Sequence, residues 1–239
     1  MKFSLILNSR KRSRFLYNFI NSLVLNTEDK SKAEILIRID DDDDESLKLT
    51  EQNFNFNVKF YCGKRPLNLH KTINELALNS EAENIFVCND DIEIITKNWD
   101  SLALAKIENY KKENKIKDNI YYCKTNCNSA DRDRLSGYCS FPIISKEAVK
   151  ELGFFMHESF VGLGADHCIY RLYKSIDRVI DLTELNIDHV LHRNLNDVFN
   201  PDATAQEMRD NSSRNWIDPK RLDISKEIEK LKSKINESK

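Results

Sequence analysis

No apolar run in this chain approaches the roughly 18 to 20 residues that a membrane span needs. A secretory leader is not expected either. In "MKFSLILNSRKRSR" the basic cluster follows the short apolar stretch, whereas a leader carries its basic residues first and ends in a small-residue cleavage site. The six cysteines (62, 88, 123, 127, 139 and 168) contain no C-x-x-C pair. The step from Cys123 to Cys127 lacks the second pair that a zinc site requires, so all six read as reduced, mostly structural thiols. Strong charge of one sign is missing too: the net charge is −2, and nothing global favours nucleic acid or an acidic membrane surface. Internal repeats are not found. Without span or leader, a cytoplasmic location is the default expectation.

What is present is a soluble globular composition, 40% apolar and 32% charged over 239 residues, enough for one sizeable core or two small ones. "FSLIL" (3–7) has strand character, and Phe15, Leu16, Phe19, Ile20, Leu23 and Val24 then recur at helical spacing. "AEILIRI" (33–39), "NVKFYC" (57–62) and "NIFVC" (84–88) read as strands, with a helical face of Ile73, Leu76 and Ala77 before the last of them. This alternation predicts an α/β layer with a largely parallel sheet. Further on, the pattern predicts a polar helix over 100–117, a strand at "NIYYC" (119–123) and a loop over "KTNCNSADRDRLSG". A helix follows from Ser145 to a left-handed cap at Gly153, then another over 165–176 and a strand at "RVIDL" (178–182). The segment 221–238 carries Ile224, Ile228, Leu231 and Ile235 as a narrow apolar seam. About two heptads make too short a seam for an isolated coiled coil, so it should pack on the domain or on a partner subunit, which leaves a homo-oligomer open.

Three of these strands end in groups that carry chemistry. The first runs into Asn8-Ser9-Arg10-Lys11-Arg12, the second into Asp40 to Asp44, and "NIFVC" into Asn89-Asp90-Asp91. Ligands of open α/β sheets bind beyond the carboxyl ends of the strands, and parallel strands would gather these cations and carboxylates along one edge. Such a mixture suits a metal-bridged diphosphate: carboxylates hold a hard divalent cation and arginines neutralise phosphate. Singly, each has a plainer reading. An acidic run is usually a solvated loop, a basic run the exposed start of a helix, and an Asp pair a strand end that caps a helix.

Together the segments resemble a glycosyltransferase of the GT-A fold, similar to the family 2 type. The resemblance is carried by the opening strand with "SRKR", by "IRIDDDDD", by "LNLHKTINELAL", and by "VCNDDIEIITKNWD" with its DXD-type acids and downstream Trp-Asp. "SGYCSFPIISKEAVKELGFF", "GLGADHCIYRLYKS" and "IDHVLHR" resemble the acceptor segment, the catalytic-base stretch and the late histidine motif. The resemblance implies a Rossmann-like, mostly parallel sheet flanked by helices, with a nucleotide-sugar half over about 1–100 and an acceptor half over 101–195. Residues 196–239 would be a polar linker and a C-terminal helix. It further implies that Asp40 and Asp41 contact the base and ribose, that Arg10 and Arg12 lie near the diphosphate, and that Asp90 approaches the ribose or metal. Asp91 would ligate Mn²⁺ or Mg²⁺ with His189, or with His192 in its place, and Asp166 would be the general base. Asn89 stands where related sequences often have a third acid.

The implied reaction moves a sugar from a nucleoside-diphosphate donor, UDP-sugar mildly preferred, to an acceptor hydroxyl. One base and direct displacement imply inversion. Two alternatives stand beside it. A sugar-phosphate nucleotidyltransferase usually has a glycine-rich phosphate loop after the first strand, and "LNSRKRSR" has no glycine. A non-catalytic glycan- or metal-binding protein is the other, although the Asp run lacks EF-hand spacing. Trp99 reads as a core anchor behind the metal loop.

Overall fold

The computed structural model describes residues 1–127, 138–190 and 217–238. Four parallel strands make its first half: β1 (Phe3–Ser9), β2 (Ala33–Asp40), β3 (Asn57–Gly63) and β4 (Asn84–Val87), in the order β3-β2-β1-β4. Helix α1 (Ser13–Asn26) links β1 to β2, and α3 (Leu69–Asn79) links β3 to β4, with a short α2 (Asp44–Leu47) after β2. Apolar residues run almost unbroken along β1 because both of its faces are covered. Phe3, Leu5 and Leu7 face a layer that includes Leu16, Phe19 and Leu23 of α1, while Ile6 joins Ile73, Leu76 and Ala77 of α3 on the other side. At the edge, β3 alternates between exposed and half-buried residues, as an edge strand should.

The second half adds β5 (Ile92–Ile94), α4 (Trp99–Glu113), β6 (Tyr122–Cys127), β7 (Ile143–Ser145), α5 (Lys146–Leu152), α6 (Ala165–Ser175), β8 (Val179–His189) and α7 (Ser225–Glu237). Its strands continue the same sheet as β4-β7-β6-β8-β5. Here β7 is antiparallel to β4 and β6, β6 is parallel to β8, and β5 is antiparallel to β8. The fold is therefore α/β around one eight-stranded, mostly parallel sheet with a C-terminal helix.

Most expected elements lie where the sequence puts them, including the left-handed cap at Gly153 (φ 84°), whose N–H closes on Val149 O. Trp99 is fully buried between the rings of Phe3 and Phe86, and its Nε1 donates to Thr27 Oγ1 at 2.8 Å. Residues 124–127 correct the loop reading, for they continue β6. Two of their polar side chains are paired: Thr125 Oγ1 donates to Phe141 O at 2.7 Å in the interior, and Asn126 Nδ2 to Asn186 Oδ1 at 2.6 Å at the surface. Strand β8 is likewise longer than "RVIDL" and runs on to His189. The seam of α7 turns inward, with Leu231 and Ile235 buried in the cluster that contains Ala148 and Val149 of α5 and Ile169 and Leu172 of α6.

Candidate active site

Strands β1, β2 and β4 are parallel and in register, so their carboxyl ends line one edge of the sheet. Asp90 and Asp91 follow β4 and are both buried. Ser9, the last residue of β1, donates through Oγ to Asp90 Oδ2 at 2.8 Å. Arg12, at the entrance to α1, places Nη1 3.1 Å from Asp90 Oδ1 and 3.0 Å from Asp91 Oδ2. His189 completes this group from the far end of the chain. Its position follows from the β5–β8 register, which sets it opposite Ile92, and from Val190 N–H, which donates to Asp91 O at 2.9 Å. His189 Nε2 lies 3.2 Å from Asp91 Oδ1, and the Phe141 ring stands edge-on to the imidazole.

These contacts set the charge states. Burial first, and then the charge of Asp91, push the Asp90 carboxyl upward. Burial also acts on Asp91, yet the hydrogen bond and charge of His189, with Arg12, hold it below the usual carboxylate range. For His189 burial works against the imidazolium, and hydrogen bonding to Asp91 and then Cys127 overcomes it, lifting the group to about 9.

A second group forms at the end of β2. Arg10 Nη1 donates to Asp40 Oδ2 at 3.0 Å, and both terminal nitrogens hold Asp42, one of them at 2.7 Å from Oδ2. That hydrogen bond with Asp42 is the main reason the guanidinium holds its proton more tightly than usual. Asp43 is buried and fixes the backbone, accepting from Lys11 N–H at 2.5 Å and Ser46 N–H at 3.2 Å. Asp41 is exposed, its N–H tied to Gly63 O at 2.9 Å. A cavity of about 290 Å³ lies between β2, β3 and α3, lined in part by Arg38, Tyr61, Thr72 and Glu75. Thr72 joins it to the end of β1, donating to Asn8 Oδ1 at 2.8 Å.

Of the residues singled out from the sequence, Arg12, Asp90, Asp91 and His189 form one contact network, and Arg10 with Asp40 another. Asp166 sits in the first turn of α6, where its Oδ1 accepts His167 N–H at 2.8 Å. His192 falls outside the described residues. Ser9, Asp42 and Asp43 belong to the same strand-end runs, and only their contacts in the fold single them out.

Among the described residues, no three His, Cys, Asp or Glu side chains gather into a set able to hold a metal ion. The donor chemistry at Asp91 and His189 nevertheless fits a hard divalent cation in part: a carboxylate and an imidazole already converge, with a second carboxylate beside them.

No family model matches the sequence, and no curated protein does. Solved structures match its shape: the chain has a GT-A-like glycosyltransferase fold. One match is TarS of S. aureus, at TM-score 0.63 and 16% identity over 79% of this chain and 36% of that one. TarS 1–349 in complex with UDP-GlcNAc matches at TM-score 0.61 and 13% identity, over 99% of this chain and 72% of that one. The mannosyltransferase PcManGT from Pyrobaculum calidifontis, in complex with GDP-Man and Mn²⁺, matches at TM-score 0.60 and 10% identity, over 79% of this chain and 56% of that one. The chain thus spans 36 to 60% of the length of the first three matched structures.

Proposed function

We propose that this protein transfers a sugar from a nucleoside-diphosphate donor, preferentially a UDP-sugar, to an acceptor hydroxyl with inversion at the anomeric carbon. One observation carries the reading. Asp90, Asp91, Arg12 and His189 converge at strand ends on a fold shared with proteins whose structures hold UDP, UDP-GlcNAc, or GDP-Man with Mn²⁺.

In this reading Asp91 and His189 would hold Mn²⁺ or Mg²⁺, with Asp90 beside them and His192 as the alternative imidazole. The bound cation supplies Lewis-acid neutralisation of the charge that grows on the departing diphosphate. The side chains do the rest. Asp40, held by Arg10, and the exposed Asp41 receive the ribose and base at the end of β2. Arg12 faces the diphosphate and adds positive charge there. Asp166 takes the proton of the acceptor hydroxyl as it attacks, which a lone hydroxyl needs to become nucleophilic. A single base and a direct displacement give inversion.

A thermal-shift screen of UDP and GDP, with and without Mn²⁺, tests the reading. One nucleotide should raise the melting temperature only when Mn²⁺ is present, and Asp91→Asn should abolish that rise. No stabilisation by either nucleotide, or an equal rise in Asp91→Asn, would remove the basis for it.

A further inference from the structure

Arg10 and Arg12 meet their carboxylates differently. Arg10 spreads two nitrogens over the two oxygens of Asp42, the fork by which a guanidinium recognises one carboxylate. Arg12 instead sets a single nitrogen almost equidistant from oxygens of two residues, 3.1 Å from Asp90 and 3.0 Å from Asp91. That is the placement of a bridging ion. It stands between the very carboxylates that the glycosyl-transfer reading assigns to a divalent cation and its surroundings.

The surroundings fit an exchange. The carboxylates are 5% and 6% exposed at their side chains, so negative charge in this position needs positive charge beside it, a task Arg12 shares with His189. Arg12 is 21% exposed and reaches solvent. Its backbone is pinned, because the preceding Lys11 takes a left-handed turn (φ 52°) that Asp43 holds by its N–H, and Arg12 O accepts the first helical bond of α1 from Leu16 at 3.0 Å. Moving the guanidinium off the carboxylates therefore leaves the backbone of the β1–α1 turn in place.

We propose that Arg12 is a placeholder cation. In the nucleotide-free protein it occupies the bridging position between Asp90 and Asp91, yields it to the divalent cation that enters with the donor, and turns to the diphosphate. The inference rests on the glycosyl-transfer reading and adds a coupling to it. Arg12 opposes the metal alone and favours the metal together with the nucleotide, so the two bind cooperatively.

The test measures both halves on wild type, Arg12→Gln and Arg12→Lys. Mn²⁺ alone is titrated and its unbound fraction read by electron paramagnetic resonance. Then UDP or GDP, whichever stabilises wild type more, is titrated calorimetrically at saturating Mn²⁺. Arg12→Gln should bind Mn²⁺ alone roughly tenfold more tightly and the nucleotide roughly tenfold more weakly, the scale of one charge-assisted hydrogen bond. Arg12→Lys, a point charge without the planar fork, should change both in the same senses by less. Opposite signs are the signature, since a merely structural arginine would weaken both. Unchanged or weaker Mn²⁺ binding in Arg12→Gln, with wild type still binding Mn²⁺ and nucleotide, overturns the placeholder and leaves the donor reading standing. Should Arg12→Gln not fold, the same two signs are required of Arg12→Lys, and their absence overturns the proposal. A wild type that binds neither Mn²⁺ nor nucleotide overturns the reading and the inference with it.

Discussion

Two arginines two positions apart serve different carboxylates because Lys11 between them adopts positive φ. At this scale the sequence discloses which residue types gather at the strand ends but not who touches whom. Asp90 and Asp91 were visible as acids that terminate an apolar strand. Ser9 and Asp43 were not, since their roles depend on partners some eighty and thirty residues away. Asp166 is legible only through the resemblance, and nothing local marks it beyond its place in the first turn of α6, where an acid is also favoured by the helix dipole. Asp166→Asn is expected to bind nucleoside diphosphate as wild type does and to turn over donor and acceptor roughly 10²-fold more slowly, the usual scale of general base catalysis. Release of nucleoside diphosphate under single-turnover conditions measures it; a wild-type rate would exclude this carboxylate as the base.

Most of the longer elements are legible from periodicity, as is the four-residue β4 with its apolar run NIFV, but the shortest are not. β5 and β7 have three residues each, too few for alternation to register against a loop. β6 is half hidden for another reason: Lys124, Thr125 and Asn126 read as polar loop, and the side chains of Thr125 and Asn126 find partners in Phe141 O and Asn186 Oδ1. Helix ends show how one element completes another. Lys146 opens α5 and donates through Nζ to Ala77 O and Leu78 O at 2.7 and 2.8 Å, helping to satisfy carbonyls in the last turn of α3, where Ser80 Oγ also donates to Ala77 O at 3.1 Å. Burial, and secondarily Lys150, push its amine down to about 8. Between that value and the unfolded one near 10.5 the unfolded chain binds the extra proton, so stability rises with pH across this window. The neutral amine keeps two N–H donors, one for each carbonyl. The urea midpoint of wild type should accordingly gain on that of Lys146→Met between pH 8 and 10. A constant gap would mean that the buried ammonium carries no penalty.

Across the molecule, one sheet joins both halves, and α7 covers the cluster behind β4 and β7 from a position late in the chain. Its seam is readable as apolar spacing, whereas the surface it covers is not, because the distant helices α5 (Lys146–Leu152) and α6 (Ala165–Ser175) supply that surface. Leu231 is fully buried there. Leu231→Ala should therefore cost about 2 to 5 kcal/mol of stability, as large-to-small core changes do, measured by denaturant unfolding. Its subunit state by analytical ultracentrifugation should match wild type. An unchanged unfolding curve with altered association would place the seam between copies instead.

The pairing of β5 with β8 also bears on how the protein is made. Among the described residues strand β5 has no other neighbour in the sheet, and its partner residues are translated roughly ninety positions later. At ribosomal speeds that is a wait on the order of ten seconds. During it the acids after β4 would have left the exit tunnel without the imidazole that is to face them. In the glycosyl-transfer reading proposed above, competence would then come late, when β8 slots in beside β6, and a nascent chain halted earlier would lack His189 beside Asp91.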